Sequence, residues 1–142
     1  MDLPFPASPG RPVGVRPAVA DDAAPVAEVQ RVTWATAYRD LLPPAALDDW
    51  DATAATGVWS AAITAPPSAG HRVLVAVDGD TVVGFAAVAP ADDPPDAAEL
   101  AVLLVEPRWG RRGHGSRLLA AATDLTRDAG TCLLYTSDAA DE

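Results

Sequence analysis

No lysine occurs in the 142 residues; all ten basic residues are arginine, set against twenty Asp and Glu for a net charge of −10. So acidic a chain disfavours a role in coating nucleic acid, which needs a basic face to neutralise phosphates. One cysteine excludes an internal disulfide framework and a multi-cysteine metal site, and no metal is expected. Long apolar runs are missing: none approaches the roughly 18 residues that span a bilayer, and no basic segment followed by an apolar one opens the chain. Neither a membrane span nor a secretory segment is read, and the expected compartment is cytoplasmic. Tyrosine and phenylalanine are scarce, at two each. Hydrophobic residues make up 49% of the sequence, enough for one domain that buries about two-thirds of its unfolded surface.

The ends read differently from the middle. Residues 1–12 carry proline at positions 4, 6, 9 and 12, a spacing at which missing backbone donors defeat helix and sheet alike, and they are expected to form a loose leader. Residues 132–142, CLLYTSDAADE, resemble the in-frame translation of a transposon adapter used to prepare sequencing libraries. On that reading the natural sequence stops near Thr131, the single cysteine is foreign, and the domain, residues 13–131, is incomplete at its C-terminal end. The other reading is a natural strand from Leu133 to Thr136 with an acidic tail.

Between these ends the pattern alternates strand and helix. Val13 to Arg16 is a short strand candidate. Asp21 and Asp22 offer an N-cap, Pro25 fits a first helical turn, and Val26, Val29 and Val32 recur at helical spacing toward Tyr38. Leu41 to Pro44 ends that helix, and Ala45 to about Ala65 reads as a second one, interrupted near Gly57. His71 to Val77, a turn at Asp78–Gly79–Asp80, and Thr81 to Ala89 form a hairpin signal, with Gly84 marking a bulge. Ala98 to Val105 is a nearly all-apolar strand, hence expected to be central. A Gly- and Arg-rich loop then opens a helix with Leu118, Ala122, Leu125 and Ala129 on one face. The expected fold is α/β (α+β): a mixed, mostly antiparallel sheet flanked by helices, in the order β-α-α-β-β-β-α.

Chemistry concentrates in Leu103 to Leu119, LLVEPRWGRRGHGSRLL. Gly113 and Gly115 stand between a buried strand and an amphipathic helix, where the first N–H groups of the helix lack internal partners and its dipole is positive. A phosphate bound there answers both, and Arg111, Arg112 and Arg117 add fixed positive charge to an otherwise acidic chain. A solvated basic rim on a plain glycine loop explains the same letters. A dinucleotide fingerprint fails, since the turn comes late and Leu118 replaces the third glycine; a Walker A loop fails for want of lysine.

With these residues the chain resembles the GNAT superfamily of N-acetyltransferases, whose acetyl-CoA motif runs V-x-P, then (Q/R)-x-x-G-x-(G/A), then a helix. Val105-Glu106-Pro107 supplies the first part, and Gly113 and Gly115, followed by Ser116-Arg117-Leu118-Leu119, the second. Gly110 stands where the family usually has Gln or Arg, and Arg111 where a further glycine is common. The element order from Val13 to Ala129 follows the family's first strand through third helix. The resemblance implies a gap beside the fourth strand in which the pantetheine arm of acetyl-CoA pairs with backbone at Leu103, Leu104 and Val105, while the diphosphate meets Arg111, Arg112, Gly113, His114, Gly115 and Ser116. It implies acetyl transfer to a primary amine of a small molecule or protein, with neither a nucleic-acid nor a membrane partner. A non-catalytic acetyl-CoA sensor is the alternative, and a homodimer is left open.

Attack by a neutral amine needs a base, and a donor must later protonate the thiolate. Glu99, a carboxylate within an apolar strand, is the candidate base. The family's usual acid is a tyrosine in a helix past the fifth strand, which this sequence does not contain; Tyr135 is not assigned to it. His114 is expected to face solvent. Trp34, Tyr38 and Trp50 are candidates for an acceptor pocket or for the core.

Overall fold

The computed structural model describes residues 13–38, 50–92 and 97–135. The chain folds as β1 (Val13–Pro17), a 3-10 turn (Ala20–Asp22), α1 (Ala23–Tyr38), α2 (Ala52–Thr64), β2 (Arg72–Asp78), β3 (Thr81–Pro90), β4 (Ala98–Val105), a second 3-10 turn (Pro107–Trp109), α3 (His114–Asp128) and β5 (Leu133–Tyr135). The five strands form one sheet in sequence order. The β1/β2, β2/β3 and β3/β4 pairs are antiparallel and β4/β5 is parallel. The expected order is therefore present, and after the third helix the chain adds β5, which agrees with the second reading of residues 132–142 as a strand from Leu133; its residues pair as Ala98 with Leu133, Glu99 with Leu134 and Leu100 with Tyr135. The apolar letters after Cys132 suit that edge, because β4 offers ladder groups that a strand can satisfy. The proline-rich leader and residues 39–49, with the first part of the expected second helix, lie outside the described residues.

Two side-chain layers sandwich the sheet. On the α3 face, Leu74, Ala76, Val83, Ala86, Val88, Ala98, Leu100 and Leu103 pack with Leu118 and Ala122. On the α1 face, Val75 and Phe85 meet Val26 and Val29. Trp59 of α2 closes the second layer edge-on to Phe85, 4.9 Å between centroids, and its indole N–H donates to Gln30 Oε1 at 3.0 Å. The strands do not alternate cleanly. The β2/β3 register jumps so that Val77 faces Val82 and Ala76 faces Gly84, leaving Val83 as the extra residue. The β3/β4 register jumps from Ala87–Val102 to Val88–Leu100, leaving Ala101 over. Each bulge exchanges the faces of the residues beyond it, so Leu100 and Leu103 share the α3 face although their spacing is odd. Gly84, read as a bulge marker, lies beside the first of these and is required by close approach: a Cβ there would come within 2.7 Å of the Leu104 carbonyl oxygen.

The N-terminal cap works through Asp22, not Asp21. Asp22, 5% exposed, accepts the Val19 N–H at 2.7 Å and both prongs of the Arg16 guanidinium at 2.7 and 3.1 Å, joining β1 to the start of α1. α2 begins at Asp51, which accepts the Ala54 N–H at 3.0 Å, and runs through Gly57 without the expected interruption. In α3 the buried residues are His114, Gly115, Leu118, Ala122 and Thr126. Ala129, expected on that face, is exposed at the C-cap, because the chain leaves the helix through Gly130 at φ 79° with Thr131 N–H returning to the Thr126 carbonyl.

Candidate active site

β4 and α3 build the site between them. β5 runs beside β4 only from Ala98 to Leu100, so among the described residues the outer edge of β4 from Ala101 to Val105 has no strand neighbour. At the end of that edge the chain makes a 3-10 turn over Pro107–Trp109, then a loop with two left-handed residues, Arg111 at φ 64° and Gly113 at φ 84°, before α3 begins. Backbone in that conformation turns successive N–H groups to one side and forms an anion-binding concavity. The first bond of the helix runs from Arg117 N–H to the Gly113 carbonyl at 3.0 Å, which leaves the N–H groups of residues 114–116 outside the helical ladder. They border a cavity of about 340 Å³ lined by Val105, Trp109, Gly110, Arg111, Gly113, His114, Gly115 and Ser116.

Six of the nine residues expected at the cofactor therefore meet at one place: Val105, Arg111, Gly113, His114, Gly115 and Ser116. Leu103 and Leu104 do not offer side chains to it. Leu103 is 6% exposed in the α3-side core and Leu104 packs on the α1 side, so any part they play belongs to their backbone. Arg112 stands apart from the cavity lining, exposed, with its guanidinium over the Trp109 ring at 5.2 Å. Trp109 and Gly110 line the cavity and were not foreseen; they sit just outside the glycine pair that marks the motif.

Two further expectations are corrected. His114 does not face solvent: it is 1% exposed, edge-on to Trp109 at 6.4 Å. Side chains at a helix start lean back toward the preceding turn, here beneath the loop. Burial and then the Arg117 charge, opposed by Asp78 and aided to a smaller degree by Arg112, hold the ring below the usual imidazole range. Arg117 does not project toward a phosphate either. Its Nη2 donates to the Arg112 carbonyl at 2.9 Å and lies 3.2 Å from His114 Nδ1.

Glu99 is half-buried on β4, opposite Ala89 of β3 and Leu134 of β5. Six residues separate it from Val105, about 20 Å of strand, so it stands where β5 closes on β4, at the far end of the open edge. A second carboxylate, Glu106 in the V-x-P segment, is 5% exposed and ion-paired with Arg108. Trp34 is 43% exposed and meets the half-buried Trp50 edge-on at 6.0 Å. A mostly apolar cavity of about 210 Å³ lies at the other end of α3, beside Val88, Leu125 and Thr126, away from the loop. Among the described residues no group of three or more His, Cys, Asp or Glu is placed to hold a metal ion, and no helix is long and apolar enough to cross a membrane.

The family model for the acetyltransferase (GNAT) family matches residues 34–141, and the chain belongs to that family. A mycothiol acetyltransferase of Rhodococcus erythropolis is 52% identical over 57 residues, a stretch that spans 39% of this chain and 18% of that protein. Among solved structures, the PaiA N-acetyltransferase of Thermoplasma acidophilum in complex with coenzyme A superposes with a TM-score of 0.71 at 21% identity, covering 84% of this chain and 74% of that one. A Salmonella typhimurium protein solved with its cofactor acetyl-CoA gives 0.63 at 20% identity, covering 87% and 69%. At these identities the structures establish the mixed α/β fold.

Proposed function

We propose that the chain binds acetyl-CoA and transfers its acetyl group to a primary amine of a small molecule or protein. One observation carries this reading: the amides of residues 114–116 and the left-handed turn at Gly113 border a cavity of about 340 Å³ that reaches Val105, at the end of β4 whose outer edge has no strand neighbour among the described residues. The fit to a diphosphate is chemical as well as steric. Donors with no helical partner, the positive end of α3 and the Arg111 side chain converge there, while the chain as a whole is acidic.

When bound, acetyl-CoA supplies an acetyl thioester. The cradle holds its diphosphate, and the backbone of β4 from Ala101 to Val105 orients the arm along the open edge. Backbone N–H groups on that edge also serve as donors to an oxyanion. The edge leads to Glu99, to which we assign the base: it takes a proton from the ammonium acceptor so that the neutral amine attacks. Attack by the neutral amine on the thioester would form the C–N bond and a tetrahedral oxyanion; its collapse would break the C–S bond, with the second proton released by the amine nitrogen passing to the leaving thiolate. Family membership and the similarity to a mycothiol acetyltransferase support acyl transfer.

Titration of the chain with acetyl-CoA tests the cradle. Ligand at 100 times its dissociation constant is expected to add about 2.7 kcal/mol to stability, and no change in melting temperature with either acetyl-CoA or coenzyme A would refute the reading. Release of free thiol on adding an amine separates an enzyme from a sensor that binds without turnover. Glu99→Gln is expected to slow turnover and leave acetyl-CoA affinity unchanged; equal turnover would remove Glu99 from the mechanism.

A further inference from the structure

The buried histidine at the start of α3 is a polar side chain in a place where leucine would cost less. His114 is 1% exposed, and its Nε2 is buried with no hydrogen-bond partner. An unpaired buried polar atom is a cost, so the reason for imidazole must lie at the other nitrogen. Nδ1 stands 3.2 Å from Arg117 Nη2. A guanidinium only donates, so Nδ1 accepts, and the neutral ring carries its proton on Nε2. The same Nη2 donates to the Arg112 carbonyl at 2.9 Å, and a Cβ added to Gly113 would come within 3.0 Å of Arg117 Nη1. Arg117 is thus folded behind the loop against the turn at Gly113, with its Nε buried and unpartnered.

We infer that Arg117, held in place by His114, is a positioning residue for the diphosphate cradle: from behind, it ties down the Arg112 carbonyl and the turn at Gly113, so that the amides of residues 114–116 stay directed into the cavity. The inference rests on the acetyl-CoA reading above and goes beyond it, because neither side chain is assigned a contact with the cofactor. The arginine that sequence alone would aim at phosphate is instead a brace for the groups that grip it. The charged groups around the imidazole are Arg117 on its own helix, Arg112 on the loop and Asp78 at the β2/β3 turn.

The test is isothermal titration of coenzyme A into the full chain and four variants. Arg117→Gln and His114→Leu are each expected to weaken binding about tenfold, the worth of one charge-assisted hydrogen bond. The double variant is expected to bind no more weakly than the poorer single one, since both remove the same brace. His114→Asn places an amide oxygen near the Nδ1 position and is expected to bind within about threefold of the parent, a rescue that mere loss of core packing would not show. The inference is overturned if His114→Leu binds like the parent while Arg117→Gln does not, which would make Arg117 a direct phosphate ligand. It is overturned equally if the two losses multiply to about a hundredfold, or if His114→Asn is as weak as His114→Leu. A parent chain that binds no coenzyme A refutes the transferase reading itself, whereas binding by the parent with unaltered variants refutes the brace alone.

Discussion

Exchanging two neighbouring residues, Gly110→Arg together with Arg111→Gly, should stabilise the protein without changing its composition or charge. Arg111 sits at φ 64°, in the left-handed region, whereas Gly110 occupies φ −67° and ψ 160°, which any residue adopts. The left-handed conformation costs a side-chain-bearing residue about 1–2 kcal/mol. The entropy that glycine adds to the unfolded chain is not at issue, because the exchange removes one glycine and introduces another. Space is not at issue either: a Cβ at position 110 would meet only the Pro107 carbonyl oxygen, at 3.4 Å. The whole cost at Arg111 should therefore be recovered. For a domain of this size that corresponds to a rise in melting temperature of roughly 3–8 °C, measurable by calorimetry. Coenzyme A affinity should hold within a few-fold, since positions 110 and 111 line the same cavity. An unchanged or lowered melting temperature would refute the argument that the loop stores strain at Arg111.

Gly84→Ala places a methyl 2.7 Å from the Leu104 carbonyl oxygen, backbone that cannot yield without parting β3 from β4; a loss of about 1–3 kcal/mol or more is expected in urea unfolding. Phe85→Ala empties the layer under Trp59 and Val29 and should cost about 3–5 kcal/mol by the same measurement. Stability should also depend on pH in two windows. Burial and the neighbouring arginines hold His114 below its ordinary 6.5, so the unfolded chain takes the proton first, and stability falls as the pH drops from about 6.5 through the lower folded value; the fall should be smaller in His114→Asn. The Arg16 hydrogen bond holds Asp22 below its ordinary 3.8 against the opposing effect of burial. Its contribution is full above about that pH and is lost as the pH falls further, and Asp22→Asn should abolish that last decline.

Much of this architecture can be read from the residue order. β4 has the bounds its apolar run suggests, the Asp78–Gly79–Asp80 turn joins β2 to β3, and the glycine pair does open a helix. Which face each strand residue takes was not readable, because the bulges at Val83 and Ala101 reverse the alternation; Gly84 signalled the first, and nothing in the composition marks the second. Thr126 lies on the buried face of α3 where spacing favoured Ala129, since the helix ends at Asp128, one residue before Ala129. At the site, backbone was more legible than side chains. Glycine spacing located the cradle, but the letters G-H-G suggest an open loop, and only the fold shows His114 turned under it with Arg117 drawn back. Trp109 had no signal beyond adjacency to the motif, and Gly110 was read within the motif only as a departure from its usual Gln or Arg.

The half-length pairing between β4 and β5 has a consequence for behaviour in solution. Among the described residues the outer edge of β4 from Ala101 to Val105 has no strand partner, and its amide and carbonyl groups are as attractive to the strand of another copy as to a ligand's amide arm. On the proposed placement of acetyl-CoA, cofactor and self-association compete for one row of hydrogen bonds, and saturating cofactor is expected to guard against oligomers.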